Sequence, residues 1–414
     1  MLNAGPPSLS PSQAGRYHAP EPARVPPVNG VVLAHDYVTQ RGGAERVALK
    51  IAEAFPGAPM YTTLYEPEDT FPEFRDIDLR TGPLNRFGLL RRHHRLALPM
   101  LASAVDSQRI SARLMIASST GWAHGYQGAD YNIVYCHAPA RWLYQTERYL
   151  GSHRNPGLRG RLRQRASEVV LARQAETLRD WDARSARRAD LYLVNSTVTQ
   201  QAVEQAYGIE AEVLPPPPAL GPGEAERAVE GIEPGYLLCV ARLLPYKNVD
   251  AIIAAVNSLT DTRLVVVGSG PDRERLLGMA GPRVRLLGTV QDDQLRWLYR
   301  NAEALVAASH EDYGLAPLEA GSFGRPSIVL RYGGFLDTVV EGRTGIFFDS
   351  PSALDIADGI RVARQCSWDE MTIMNHVARF SSRPFVKRLQ DLAARVTGTT
   401  ALQEPAPSPV AAAS

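Results

Sequence analysis

His310-Glu311-Asp312-Tyr313-Gly314-Leu315-Ala316-Pro317-Leu318-Glu319-Ala320 follows the apolar run Ala304–Ala307, and its reading decides the fold. A short apolar run is a strand candidate and the polar segment behind it a loop. Pro317 then stands where a helix can begin without losing a needed N–H. Gly314 gives the loop a position at which backbone can approach a ligand. On this reading Glu311 sits in the loop after a strand and Glu319 in the first turn of the next helix. Two carboxylates so placed can bind the vicinal hydroxyls of a sugar or a ribose. They can equally be a solvated loop residue and a complement to the helix dipole, and the spacing alone does not choose.

The same order of strand, loop and helix recurs on both sides. Tyr236–Val240, Leu264–Val267, Val284–Leu287 and Ser327–Leu330 read as strands, alternating with helices at Val249–Leu259 and Asp292–Arg300. Further upstream, Val31–Ala34 precedes Arg41-Gly42-Gly43 and a helical pattern over Ala44–Phe55. Leu114–Ala117, Tyr131–Tyr135 and Leu191–Val194 are further buried-strand candidates. Pro215-Pro216-Pro217-Pro218 interrupts the pattern. It therefore predicts two doubly wound α/β domains, 28–215 and 235–382, joined by a linker at 216–234. A helix at about 383–398 is placed to pack back on the first domain. Ligands of such sheets lie outside the carboxyl ends of the strands. Residues 1–27 and 400–414 are rich in Pro, Ala and Ser and are expected to be disordered tails.

Composition removes several classes of function. The 414 residues carry 45 Lys and Arg against 44 Asp and Glu, so no global field draws in a polyanion, and nucleic acid is not an expected partner. Cys136, Cys239 and Cys366 are widely spaced, with no Cys-x-x-Cys pair for zinc or redox work, and read as reduced thiols. The N-terminus lacks the apolar core of a signal peptide, and no apolar run nears the roughly 20 residues that span a bilayer. The expected location is cytoplasmic, with membrane contact at most peripheral.

Arg242 ends the strand Tyr236–Val240 and Lys247 precedes the next helix. Two cations there can neutralise a diphosphate without a metal, or can simply be surface residues. Gly268-Ser269-Gly270-Pro271 follows a strand, but Arg273 replaces the third glycine of a dinucleotide fingerprint, so NAD is not expected. A plain strand-to-helix turn competes there with a phosphate loop. Gly333-Gly334 is another loop able to offer backbone N–H groups. His137, after the strand ending at Tyr135, is either a packed structural histidine or a residue of the cleft. Asp180-Trp181-Asp182 has the form of a metal-binding Asp-x-Asp, yet lies in a charged, helix-like run. It reads as helix surface with a packed Trp, and no metal site is expected.

Basic and apolar residues interleave over residues 84–105: Arg86, Arg91, Arg92, His93, His94 and Arg95 among Phe87, Leu89, Leu90, Leu96, Leu98 and Leu101. Such a stretch can lie in an anionic membrane interface or pack on its own domain. Arg154, Arg159, Arg161, Arg163 and Arg165 form a second basic run that faces lipid phosphate or solvent.

Arg242 with Lys247, Gly268-Ser269-Gly270-Pro271, Glu311 through Glu319, Gly333-Gly334 and Glu341-Gly342-Arg343-Thr344-Gly345 occur in the order seen in retaining glycosyltransferases of family 4. The chain resembles that family over about residues 30–395. Gly42-Gly43-Ala44-Glu45, Ser118 through Gly125, Tyr135 through Arg141 and Asp190–Ser196 resemble its branch of polysaccharide and O-antigen mannosyltransferases. The resemblance implies the GT-B fold, two Rossmann-like doubly wound domains facing each other across a cleft. It implies that Arg242 and Lys247 bind the donor diphosphate, Glu319 the ribose, and Glu311 the donor sugar with backbone help from Gly314 and Leu315. Gly268 joins this donor set, Gly42-Gly43 forms a loop closing on diphosphate and acceptor, and His137 lines the reaction centre with Glu311.

The implied activity is retaining transfer of a hexose, with mannose from GDP-mannose first in line, to a hydroxyl of a glycan or lipid-linked acceptor. Its setting would be cell-surface polysaccharide or glycolipid synthesis. The nucleotide-sugar is a co-substrate, and no cofactor or metal is implied. No enzymic nucleophile is evident, so the departing diphosphate is expected to help deprotonate the incoming hydroxyl. Asp312-Tyr313 stands where many relatives have Gly-Phe or Glu-Phe, and Asp337 where the glycine loop often has Glu, so the resemblance does not fix the sugar. A non-hydrolysing nucleotide-sugar epimerase of the same fold and a catalytically silent glycan-assembly partner are the alternatives. The first needs no acceptor, and the second binds donor without turnover.

Overall fold

In the computed structural model, which describes residues 30–144 and 175–397, the chain forms two parallel sheets. The first contains β1 (Val31–His35), β2 (Met60–Thr62), β3 (Leu79–Thr81), β4 (Arg109–Ser119), β5 (Gln127–Cys136), β6 (Leu191–Val194) and β7 (Glu212–Val213). The second contains β8 (Tyr236–Val240), β9 (Leu264–Val267), β10 (Val284–Gly288), β11 (Ala302–Ala307), β12 (Ser327–Leu330) and β13 (Gly345–Phe348). Their orders are β3-β2-β1-β4-β5-β6-β7 and β10-β9-β8-β11-β12-β13. Both are doubly wound, as the alternation of strands and helices predicts. In each, the winding reverses beside the first strand, between β1 and β4 and between β8 and β11.

The buried apolar runs explain this arrangement. Val31 and Leu33 join one core cluster and Val32 and Ala34 another, so β1 is packed on both faces. Leu264–Val267 and Ser327–Leu330 are buried along their whole length. Strands without a polar face require helices on both sides, and parallel pairing supplies the crossovers that put them there.

The final helix, Ser382–Thr397, returns to the first sheet. Phe385, Leu389, Leu392 and Ala393, a helical stripe, enter the cluster of Val31 and Leu33. Burial of Phe385 and Leu389 contributes about 2 kcal/mol each. Arg388 donates to both carboxylate oxygens of Glu212, at 2.8 and 2.7 Å.

Some expectations are corrected. The helix after β11 runs Leu315–Ser322 with Gly314 as its N-cap, so Pro317 is its third residue and Glu319 lies in the second turn, not the first. Pro is tolerated there because the first four N–H groups of a helix have no intrahelical acceptor. The strands β2, β3, β7 and β13 escaped the sequence reading: the first three have only two or three residues, too few for a pattern, and β13 opens on Gly345, which has no side chain to carry one. The proline-rich segment carries no helix or strand between residues 214 and 235, but it is laid on the second domain. Leu220 packs with Tyr236 and Tyr299, and Arg227 and Glu226 pair with Asp293 and Arg300. Both tails and the basic run from Arg154 to Arg165 lie outside the described residues.

Candidate functional site

The two strands at the switch point of the second sheet each end in a loop that carries candidate residues. After β8, the short helix Pro245–Lys247 brings the Lys247 ammonium, 10% exposed, onto Glu311 in the loop after β11. Asn248, in the left-handed conformation at φ 52°, fixes this approach by donating from Nδ2 to the Ala308 carbonyl at 2.8 Å. Ser309 Oγ donates to Glu311 Oε1 at 2.7 Å. Burial alone would raise the Glu311 carboxyl, but Lys247, Ser309 and the charge of Arg141 hold it below its usual range. Arg242 is exposed; among the described residues its one hydrogen bond is a long contact of 3.4 Å to the Tyr246 hydroxyl, and its charge acts on the Glu45 carboxyl, so the guanidinium remains available to an anion.

Glycines let these loops lie against one another. Gly268, at φ +136°, follows β9, and a Cβ there would fall 1.9 Å from the Ala241 carbonyl oxygen, beside Arg242. Gly333 supports the Glu311 loop in the same way: a Cβ would meet the Glu311 carbonyl oxygen at 2.0 Å, and Gly334 N–H donates to that oxygen at 3.0 Å. Packing therefore requires these glycines whatever they bind.

Glu319 is buried, and its carboxyl is raised by that burial, partly offset by the Tyr299 hydroxyl, which donates to Oε2 at 2.7 Å. It lies near Arg46 of the first domain, which reaches Asp292 at 2.9 Å. Leu315 opens the same helix and approaches Gly43, where a Cβ would be 3.6 Å from Leu315 Cδ1. Gly42 is the N-cap of the helix Gly43–Ala54, and a Cβ there would sit 2.5 Å from Glu45 Oε2. Burial raises the Glu45 carboxyl as well, against His35 and a hydrogen bond from Gln40.

The facing wall comes from the switch point of the first sheet. The Asp36 carboxylate accepts backbone N–H groups from Thr120, Trp122 and Ala123 at 2.6, 3.2 and 2.6 Å, which fixes the loop after β4. His137, after β5, is 7% exposed and places Nε2 2.8 Å from Ser118 Oγ. Burial first, then His35 and Arg141, push its imidazolium down to about 3.

Both departures from the family pattern bind across the cleft. Asp312 pairs with Arg141, and its carbonyl accepts from Ser196 Oγ. Asp337 accepts from Thr197 N at 2.8 Å and Thr197 Oγ1 at 2.7 Å, at the start of the helix Thr197–Tyr207. The structure thus gathers Lys247, Glu311, Gly314, Gly268 and Arg242 on one side and His137 on the other, with Arg141 acting on both His137 and Glu311. Glu319, Leu315, Gly42 and Gly43 form a second stretch of the same interface. Sequence reading missed His35, Asp36, Tyr299 and the bridging roles of Arg141, Asp312 and Asp337. The two aspartates were visible only as departures.

The reading of Asp180-Trp181-Asp182 as helix with a packed Trp holds, and Asp180 is exposed, but Asp182 is corrected: it does not lie on the surface. Asp182 is fully buried, 3.0 Å from His124 Nε2 and accepting from the Tyr207 hydroxyl at 2.8 Å, while Trp181 Nε1 donates to Asp106 at 2.8 Å. In the stretch 84–105, Leu98 and Leu101 are buried, but Phe87 and Leu89 are 59% and 58% exposed beside exposed Arg86, Arg92 and His93. Among the described residues no helix is long and apolar enough to cross a membrane.

Residues 224–375 match the family described as Glycosyl transferases group 1. The chain is 31% identical over 233 residues to D-inositol 3-phosphate glycosyltransferase of Actinosynnema mirum, covering 44% of this chain and 55% of that one. It is 28% identical over 207 residues to glycogen synthase of Mycobacterium tuberculosis, covering 46% and 49%. The chain spans about half the length of the curated relatives it matches. Among solved structures it is similar to Anabaena HepE in complex with UDP-glucose, with a TM-score of 0.62 and 17% identity over 89% of this chain and 100% of that one. At that identity the likeness is one of fold, and the fold is GT-B.

Proposed function

We infer that this chain is a group 1 glycosyltransferase that moves a hexosyl group, with retention, from a nucleotide-sugar to a hydroxyl of a glycan or lipid-linked acceptor. The observation that carries this reading is the convergence at one switch point of an available cation, Arg242, with a part-buried Lys247–Glu311 pair. Cations at a strand end suit a diphosphate, and a carboxylate held ionised suits sugar hydroxyls. We assign Glu319 to the ribose, Gly42 and Gly43 to a loop that closes on the diphosphate and the acceptor, and the rest of the first domain to the acceptor side. GDP-mannose is the first donor to test, on the resemblance of the N-terminal motifs.

In this mechanism the cations take up the charge that develops on the leaving diphosphate, without a metal. The departing oxygen accepts the proton of the incoming hydroxyl on the same face of the sugar. His137 does not compete for that proton, because a ring with a pKa of about 3 is a poor base at neutral pH. Exposed Phe87 and Leu89, near exposed Arg86, Arg92 and His93 along the chain, support peripheral contact with a membrane that holds the acceptor.

Calorimetric titration with GDP, UDP and ADP in the absence of divalent metal tests the donor site, alongside an Arg242→Ala, Lys247→Ala double variant. One nucleotide is expected to bind the wild type and to bind the variant at least tenfold more weakly. A folded wild type that binds none of the three overturns the assignment and favours a silent assembly partner.

A further inference from the structure

His35 at the end of β1, Ser118 near the end of β4 and His137 beyond β5 meet behind the cleft, all of them buried. His35 Nδ1 lies 2.9 Å from Ser118 Oγ and 3.2 Å from the Ser118 carbonyl oxygen. A carbonyl can only accept, so His35 carries its proton on Nδ1. Ser118 Oγ accepts that proton and has one of its own to give. Among the described residues the other partner in reach is His137 Nε2 at 2.8 Å. If His137 donated instead, the serine proton would have no acceptor in a buried site, a costly outcome. His137 Nε2 is therefore the lone pair, and the ring proton sits on Nδ1, which has no partner among the described residues. Burial, with His35 and Arg141, keeps this ring neutral throughout the physiological range.

We propose that His35 and Ser118 are positioning residues: they hold His137, which the functional reading above places at the reaction centre, as a neutral imidazole protonated at Nδ1, so that the ring can offer an N–H donor there and not a lone pair. The proposal rests on the glycosyltransferase reading for the reaction centre, but not for its proton arrangement. Tautomer locking by a hydrogen bond to the second ring nitrogen is a general device for aiming an imidazole. Here the lock is a serine, which is in turn oriented by a second histidine.

The test is long-range proton–nitrogen NMR of the full chain labelled with 15N-histidine, with His137 assigned by His137→Gln. The wild type is expected to show one neutral tautomer, Nδ1–H, from about pH 6 to 8. Ser118→Ala should yield a mixture or the Nε2–H form, and Ser118→Thr, which keeps the hydroxyl, should restore the wild-type spectrum. His35→Ala should shift the tautomer ratio the same way, and it supplies the readout if Ser118→Ala does not fold. In turnover or donor hydrolysis, Ser118→Ala should lower kcat about tenfold to a hundredfold with nucleotide affinity unchanged, and Ser118→Thr should recover it. An Nε2–H tautomer in the wild type overturns the proposal, as does a Ser118→Ala variant with altered tautomer and wild-type kcat. A wild type that shows the Nδ1–H tautomer but binds no nucleotide overturns the functional reading while leaving the lock in place.

Discussion

Replacing Lys247 by alanine removes the counter-ion of a carboxylate that the fold has already taken out of water. Glu311 is 23% exposed and Lys247 10%, and Ser309 supplies the other hydrogen bond to Oε1. Stranding one member of a fully buried pair costs about 3–5 kcal/mol. The remaining exposure of Glu311 and the surviving Ser309 hydrogen bond lower the expected loss to about 2–3 kcal/mol. The pH dependence is diagnostic. In the wild type the folded-state pKa of Glu311 lies below its unfolded value. The resulting stabilisation is present above the unfolded pKa and is lost as pH falls through the folded one. Without Lys247 burial dominates, the folded pKa moves above the unfolded one, and protonation now relieves the variant. The gap between wild type and variant should therefore narrow from pH 7 to about pH 4. Urea unfolding of wild type, Lys247→Ala, Glu311→Gln and the double variant at both pH values measures this. The cycle is expected to show coupling of about 1–2 kcal/mol at pH 7. Coupling below about 0.3 kcal/mol, with no dependence on pH, refutes the reasoning.

Asp36→Ala strands three backbone N–H groups of the loop after β4 and should destabilise the protein by about 3 kcal/mol in thermal unfolding, while Asp36→Asn, which keeps one acceptor oxygen, should cost about half as much. Equal effects of the two variants would show that the carboxylate does not hold the loop. The wild type should co-float with vesicles containing anionic lipid and not with neutral ones, and Phe87→Ser, Leu89→Ser should abolish this while nucleotide binding persists. A wild type that stays with the unbound fraction on anionic vesicles removes the membrane contact from the proposal.

The double-wound fold was legible because it is written locally. Runs such as Leu264–Val267 and Ser327–Leu330 have no polar face, each is followed by a glycine loop and a helix, and only parallel sheets covered on both sides accommodate such strands. The donor-side candidates were legible for the same reason. Arg242, Lys247 and Glu311 follow their strands directly, so the end of the sheet at which they lie is settled within a few residues of each.

The partners of those residues were not legible. Glu319 could be placed on its helix from the sequence, but its hydrogen bond to Tyr299 depends on how two helices pack, and Asp182 could not be told from a surface carboxylate until His124 and Tyr207 closed over it. The same holds for Asp312 and Asp337, which stood out only as departures, and for His35, which lies 83 positions from Ser118. Sequence period and loop chemistry determine which residues reach the carboxyl end of a strand. Which of them touch depends on strand order and on the approach of the two domains, and these are set by burial summed over the whole chain, which no short stretch records.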